Sequence, residues 1–351
     1  MLVFALIMAC SGESELKESV AENSATAESL PGVSLWSDRL EPADYVAAAD
    51  FDGDGLDERV WVHEDVLHWP GGSAPLTAGV QVIERGNLGE GERVILGLGM
   101  NRDHRDAPAQ VIVVGPEGPT VIWEEHGPRN QIADVRVLDE DVYITRFVAA
   151  KRVQGGFLKD GQMVALHEDG LATQQIPLGD GELVVGRVYG EQPRSHGDLR
   201  RGRNGVFRSL PSLRGVRSLE TAQLDSDAEL ELLVGDGWHY AYGEQALGRV
   251  LLLDGADWSE ARTLAVLDGE YSARSMEVSS SLIDQDPSQA GILVSGTKKV
   301  HYLKRDGLGW SDRVLGPTTE TSNAVLIRTP RGLAAWIAGA SKSLLVGVEA
   351  P

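Results

Sequence analysis

From Val33 onward the chain alternates short apolar runs with Gly and Asp-Gly turns, and no long stretch carries an apolar period of 3.6 residues. One run recurs, usually closed by a turn. Its copies are VLHWPGG from Val66, VIVVGPEG from Val111, MVALHEDG from Met163, VFRSLPSLRG from Val206, VLLLDG from Val250, VHYLKRDG from Val300 and LLVGVEAP from Leu344. The copy at Val206 is the poorest. The mean spacing is about 46 residues, within the range of four-stranded propeller blades. A second apolar run precedes each of these: RVWV at Arg59, VILGLG at Val94, VYITRF at Val142, LVVGRVYG at Leu183, LELLVGDG at Leu230, GILVSG at Gly291 and GLAAWIAG at Gly332. The earlier run reads as the second strand of a blade and the later run as the third. Strands apolar at nearly every position suit sheets buried on both faces.

A third pattern bears on closure. WSDRVL from Trp310 and WSEARTL from Trp258 follow third strands and read as outer fourth strands. The last repeat reaches Pro351 without one, and WSDRL from Trp36 precedes any complete repeat. The expectation is an all-β, seven-bladed β-propeller over 33–351, in which residues 36–40 supply the outer strand of the last blade. A ring closed in this way leaves no free edge to aggregate.

Composition adjusts this picture at the N-terminus. The chain opens MLVFALIMACSG, an uncharged apolar run ending in a small residue and then Cys10, the only cysteine, so no intramolecular disulfide can form. The run resembles a bacterial lipoprotein signal, with residues 1–9 removed and lipid attached at Cys10; it departs from that pattern in being short and in lacking a basic residue before the apolar stretch. Residues 10–32, rich in Ser, Glu and Ala, bury no core and read as a disordered linker. The resemblance implies a lipid anchor in the bacterial envelope, and Ser11 suggests the outer membrane. The formal charge of −21 disfavours nucleic acid as a partner and favours cations.

The densest acidic motif is DFDGDGLDE, residues 50–58. It is no EF-hand, because the twelfth position is Trp61 and neither flank is helical. Counted otherwise, Asp50, Asp52 and Asp54 stand at positions 1, 3 and 5, the Leu56 carbonyl at 7 and Glu58 at 9, with Gly53 and Gly55 allowing a tight wrap. Such hard oxygen donors suit Ca2+. A carboxylate loop between the first two strands of a blade resembles the FG-GAP and VCBS-type repeats of integrin-head propellers. The resemblance implies structural calcium held by Asp50, Asp52, Asp54, Leu56 and Glu58, with Asp57 pointing outward. QLDSDAELE repeats the frame with Gln223, Asp225, Asp227 and Glu231, its turn glycine replaced by Ala228. Asp284 and Asp286 form a poorer copy interrupted by Pro287.

Four insertions, 100–109, 148–161, 189–205 and 235–248, are expected on the face opposite the carboxylate loop, where binding residues concentrate. The third carries Arg194, His196, Arg200, Arg201 and Arg203, a cluster able to hold a carboxylate or sulfate, or to pair with neighbouring acids. The fourth carries Trp238, His239, Tyr240 and Tyr242, which could stack on sugars, anchor a protein, or cap the disc. No hydrolase, zincin or phosphate-loop motif is present. The expectation is therefore a non-enzymatic monomer that binds a protein or glycan at the cell envelope. The alternatives are a polysaccharide lyase or hydrolase that uses His196 and His239 as an acid-base pair, and an envelope assembly scaffold.

Overall fold

The computed structural model describes residues 36–349, apart from positions 90, 102, 128–130, 150–151, 169–171, 189–195, 204–205, 211–212, 226–228, 238–245, 255–257, 259–260, 284–285, 307–308 and 320–321. Cys10 and the linker lie outside the described residues, as do Arg194, Asp227, Ala228, Trp238, His239, Tyr240, Tyr242 and Asp284.

The described chain is almost entirely β and propeller-like. After β1 (Ser37–Leu40), antiparallel strands follow in meanders. The first is β2 (Tyr45–Ala49), β3 (Glu58–His63), β4 (Val66–Trp69) and β5 (Gly72–Pro75). The second is β6 (Gly79–Asn87), β7 (Glu92–Gly99), β8 (Ala109–Gly115) and β9 (Gly118–Glu125). The third is β10 (Gln131–Leu138), β11 (Asp141–Ala149), β12 (Arg152–Lys159) and β13 (Gln162–Glu168). The second and third share one sheet through a single residue pair, Gln131 with Gly99. Then come β14 (Ala172–Gly179), β15 (Glu182–Arg187), β16 (Leu199–Arg203) and β17 (Val206–Ser209). Next are β18 (Val216–Ala222), β19 (Glu231–Asp236), β20 (Arg249–Leu253) and β21 (Ala261–Val266). These lead to β22 (Ser275–Val278), β23 (Gly291–Ser295), β24 (Lys299–Asp306) and β25 (Gly309–Pro317). The chain ends with β26 (Ala324–Thr329), β27 (Gly332–Ile337) and β28 (Ser343–Gly347), and β1 pairs antiparallel with β28, Ser37 opposite Val346 and Leu40 opposite Ser343. Among the described residues the only helices are two 3-10 turns, at 279–281 and 287–289, and no helix is long and apolar enough to cross a membrane.

The first strands of the meanders are neighbours in chain order, from β2 through β6, β10, β14, β18 and β22 to β26, which in turn lies against β2. The apolar cores sit between successive sheets. One joins Ala47, Val60, Val62 and Leu67 to Val80, Ile83, Val94 and Leu96; another joins Val46 and Ala48 to Ile327, Ala334 and Trp336. Sheets covered in this way on both sides have middle strands that read as unbroken apolar runs, as in β7 and β23, whereas β12 and β16 do not.

Two expected third strands are wrong. The run at Met163 is β13, an outer strand, and the third strand is β12, which occupies most of the expected insertion 148–161. Likewise the run at Val206 is β17, and β16 is the third strand. Arg200, Arg201 and Arg203 therefore lie in a strand and not in a loop. Both true third strands carry glycines that look like turns in sequence. A Cβ on Gly155 would stand 2.0 Å from the His167 ring, and one on Gly202 would stand 1.9 Å from the Val206 carbonyl oxygen. These glycines permit close strand approach and do not end the strand.

Candidate functional site

The carboxylate hairpin 50–57 springs from the Ala49–Glu58 pair that ends β2 and starts β3. Its backbone amides turn inward onto the acids. Asp50 Oδ1 accepts from the amides of Gly53 (2.6 Å) and Asp54 (3.1 Å), and Asp50 Oδ2 from Gly55 (2.8 Å). Asp52 accepts from Asp54 (3.1 Å), and Asp54 from Leu56 (2.8 Å). Glu58 Oε2 accepts from Phe51 (2.7 Å), which ties the ninth position to the second. Gly53 and Gly55 take φ of +78° and +86°, conformations that side-chain-bearing residues adopt at a cost.

Oxygens of Asp50, Asp52 and Glu58 lie within 4.8 Å of one another. Calcium binds oxygen at about 2.4 Å, so ligands on opposite sides of one ion stand about 5 Å apart. The three residues fit that ion. Asp54 is outside the tight group and is occupied in its own turn with Leu56. Burial raises the Glu58 carboxyl, and Asp52, Asp50 and Asp54 raise it further against the Phe51 amide. A cation at this point would offset that repulsion.

Asp57 corrects the sequence expectation. Its side chain is fully buried and accepts from the Arg328 amide (2.7 Å), Arg328 Nε (2.8 Å) and a terminal Arg328 nitrogen (2.5 Å), with Arg85 at 3.3 Å. Arg328 also reaches Glu92 (2.7 Å), and Glu92 accepts from the Asp50 amide (2.9 Å). The hairpin is thereby clamped to β26 on one side and to β6 and β7 on the other. Burial opposes the charge on Arg328; Asp57 and Glu92 together overcome it.

The clamp belongs to a wider network along the innermost strands. Along the open edges of several of these strands, side chains from neighbouring parts of the fold accept from backbone amides. Gln175 N donates to Asp134 (2.9 Å), Leu326 N to Glu277 (2.6 Å) and Val46 N to Asn323 (2.9 Å). Arg85 reaches past β2 to the Leu326 carbonyl oxygen (2.7 Å), and Arg136 past β14 to that of Leu219 (2.9 Å). Glu84 and Glu220 flank Arg136 at 3.6 and 3.2 Å. Burial pushes Glu84 up to about 8 and Glu277 up to about 7, and the mutual repulsion of these carboxylates adds to the effect.

A raised carboxyl pKa means that the folded state binds more protons than the unfolded one, so stability falls as pH climbs from the unfolded value toward the folded one. Stability in chelator is therefore expected to increase by about 1 kcal/mol from pH 8 to pH 6, discounted for the solvent that reaches these side chains. Urea melts at both pH values check this, and Glu84→Gln with Glu277→Gln is expected to flatten the dependence.

Two members of the basic cluster, Arg200 and Arg201, are engaged within the fold. Arg201 pairs with Glu182 (2.9 Å) and lies over the Trp258 ring (4.4 Å from its centroid); Arg200 pairs with Asp198 (3.3 Å). His196 is exposed. Of the expected insertions, 148–161 falls mostly in β12, 100–108 lies between β7 and β8, and 189–195 and 238–245 lie outside the described residues.

The second acidic loop repeats the first in one particular. Glu231 Oε2 accepts from the Leu224 amide (2.6 Å), again joining position 9 to position 2. Oxygens of Asp225, Glu231 and Asp254 lie within 4.8 Å of one another. Gln223 instead donates its amide nitrogen to the Asp225 carbonyl oxygen (3.2 Å). Asp254 was missed in sequence because it follows β20, distant in the chain from the loop; the only signal was the acid closing VLLLDG.

No protein-family model and no curated protein sequence matches the chain. Among solved structures it is similar to BBS1N, a β-propeller determined in complex with ARL6DN, at TM-score 0.53 and 13% identity over 89% of this chain and 94% of that one. It is also similar to a structure described as S. cerevisiae dbp5 bound to nup159 and gle1, at TM-score 0.47 and 8% identity over 89% of this chain and 94% of that one. At these identities the first likeness shows the fold alone.

Proposed function

We propose that this chain is a seven-bladed β-propeller of the FG-GAP/VCBS-like type, closed by β1 in its last blade, with structural calcium at the hairpin 50–58. In this reading lipid on Cys10 tethers it to the bacterial envelope, at the outer membrane, and the disc acts as a non-enzymatic platform for a protein or glycan. The observation that carries the reading is the convergence of Asp50, Asp52 and Glu58 on a hairpin whose amides already organise the acids. The clamp through Asp57 then links the hairpin's sheet to its two neighbours, so calcium would stiffen the ring as well as one turn. The connections between second and third strands lie at the other ends of β3, β7 and their counterparts, on the side away from the ion. A partner docking there would meet a frame that calcium holds rigid.

Calcium in hundredfold excess over its dissociation constant adds about 2.7 kcal/mol, or roughly 5 °C in melting temperature for a chain of this size. Scanning calorimetry with calcium and with chelator checks this; coincident melts refute the metal assignment. For the docking role, the lipid-free chain is used as bait against envelope extract and a glycan array in calcium. Retention that disappears when 189–195 and 238–245 are replaced by glycine-serine linkers supports the platform. Turnover of an acidic polysaccharide, or retention indifferent to those loops, overturns it.

A further inference from the structure

The loop 223–231 departs from the ligand pattern of the first hairpin, and the departure carries information. Gln223 stands where Asp50 stands in the first loop, so a charge is lost at the first position. Glu231 nevertheless remains a carboxylate on a side chain only 1% exposed. One oxygen is bound by Leu224; the other, Oε1, is buried and has no hydrogen-bond partner among the described residues. A buried anionic oxygen without a partner is strongly disfavoured unless a cation or donor reaches it. Two more carboxylate oxygens stand beside Glu231, one from Asp225 in the same hairpin and one from Asp254 at the end of β20. The nearby Arg305 is directed at the Leu224 carbonyl oxygen (3.3 Å). In the first sheet the residue after the third strand is Pro70, which offers no such acid.

We propose that Asp225, Glu231 and Asp254 hold a second hard divalent cation of calcium size, in a site built across two connections of one sheet. Asp254 returns the charge that Gln223 removes. This inference rests on the preceding reading only for the kind of ion, and its ligand set differs from the single-loop set that the family resemblance implies. The ion would join the β18–β19 hairpin to the start of the β20–β21 connection. Trp258 belongs to the same neighbourhood, because its indole donates to the Leu230 carbonyl oxygen (3.1 Å), one residue before Glu231. Terbium bound at this site is therefore placed to emit on tryptophan excitation.

The test uses the whole folded chain in four forms: wild type, Asp50→Asn with Asp52→Asn, Asp254→Asn, and all three together. Calcium titration calorimetry counts sites, and tryptophan-sensitised terbium emission reports the second site in the variant lacking the first. The expected result is one site fewer for either lesion and none for the combination. Asp254→Asn is further expected to weaken calcium at least about tenfold at the site that survives loss of Asp50 and Asp52. Asp254 is exposed, so its variant should melt normally in chelator. Glu231→Gln, which keeps an acceptor for Leu224, is expected to give the same loss. Site number and emission indifferent to Asp254→Asn overturn the proposal while leaving the first hairpin intact. A single wild-type site abolished by Asp254→Asn sinks the first assignment and upholds this one. Absence of any calcium binding removes both.

Discussion

Asp57→Ala is expected to cost about 3–5 kcal/mol of folding stability, the range for removing one partner of a buried ion pair. The reason lies in what remains behind. Arg328 would keep its position beside β26 with two of its guanidinium bonds gone, and its backbone amide would lose its acceptor. Arg85 would lose its 3.3 Å partner at the same point. Glu92 then faces two arginines that are 13% and 17% exposed, with only the more distant Glu277 (3.8 Å from Arg85) beside it. Urea denaturation in chelator measures the loss without any contribution from calcium. Asp57→Asn keeps acceptor capacity for the Arg328 amide but not the charge, and is expected to fall between wild type and Ala. An Asp57→Ala midpoint within error of wild type would mean that the hairpin is held by its own turn and not by the clamp.

The clamp also shows why sequence reasoning stops where it does. Asp57 is one of five acids in a glycine-rich turn, and its place out of step with Asp50, Asp52 and Asp54 points it outward, with nothing local to mark it for burial. What buries it is Arg328, 271 positions away. The local features were legible: the alternation of runs and turns, the place of the carboxylate turn between β2 and β3, and the pairing of WSDRL with the last strand. Features that depend on partners from other sheets were not. The strand β16, LRRGR, looks like a loop because its charges find Glu182 and Trp258 only after folding. The strand β12, RVQGGFLK, looks like a turn because Gly155 and Gly156 make room for His167 and the backbone of β13. Asp254 was passed over for the same reason, since a ligand set drawn from two connections leaves no periodic trace in the chain.

Removing residues 36–40 is expected to lower stability by about 3 kcal/mol and to make the protein associate at higher concentration. The segment supplies four residue pairs along β28, from Ser37 opposite Val346 to Leu40 opposite Ser343. Its flanks add the bonds from Gly347 N to the Trp36 carbonyl oxygen (3.0 Å) and from Ser343 N to that of Glu41 (3.1 Å). Trp36 and Leu40 pack on the cluster of Ala334, Trp336 and Leu345, and the Arg331 guanidinium lies 3.5 Å from the centroid of the Trp36 ring. Each backbone bond contributes about 1 kcal/mol, and burial of a large apolar side chain about 2, against roughly 1–2 kcal/mol per residue to order the strand. The net gain is modest, yet the edge it covers is consequential, because β28 without β1 presents unpaired amides and carbonyls beside Leu345, a core residue that loses the cover of Trp36 and Leu40. Chemical denaturation and light scattering on the truncated chain measure both effects, and a peptide spanning 35–42 added in trans is expected to restore the midpoint. The same covalent logic explains why a terminal strand serves here. The strands β26–β28 and β1 are far apart in sequence, so this sheet is complete only when the two segments meet. Truncation without loss of stability, or without rescue by the peptide, would show that the sheet β26–β28 is held without β1.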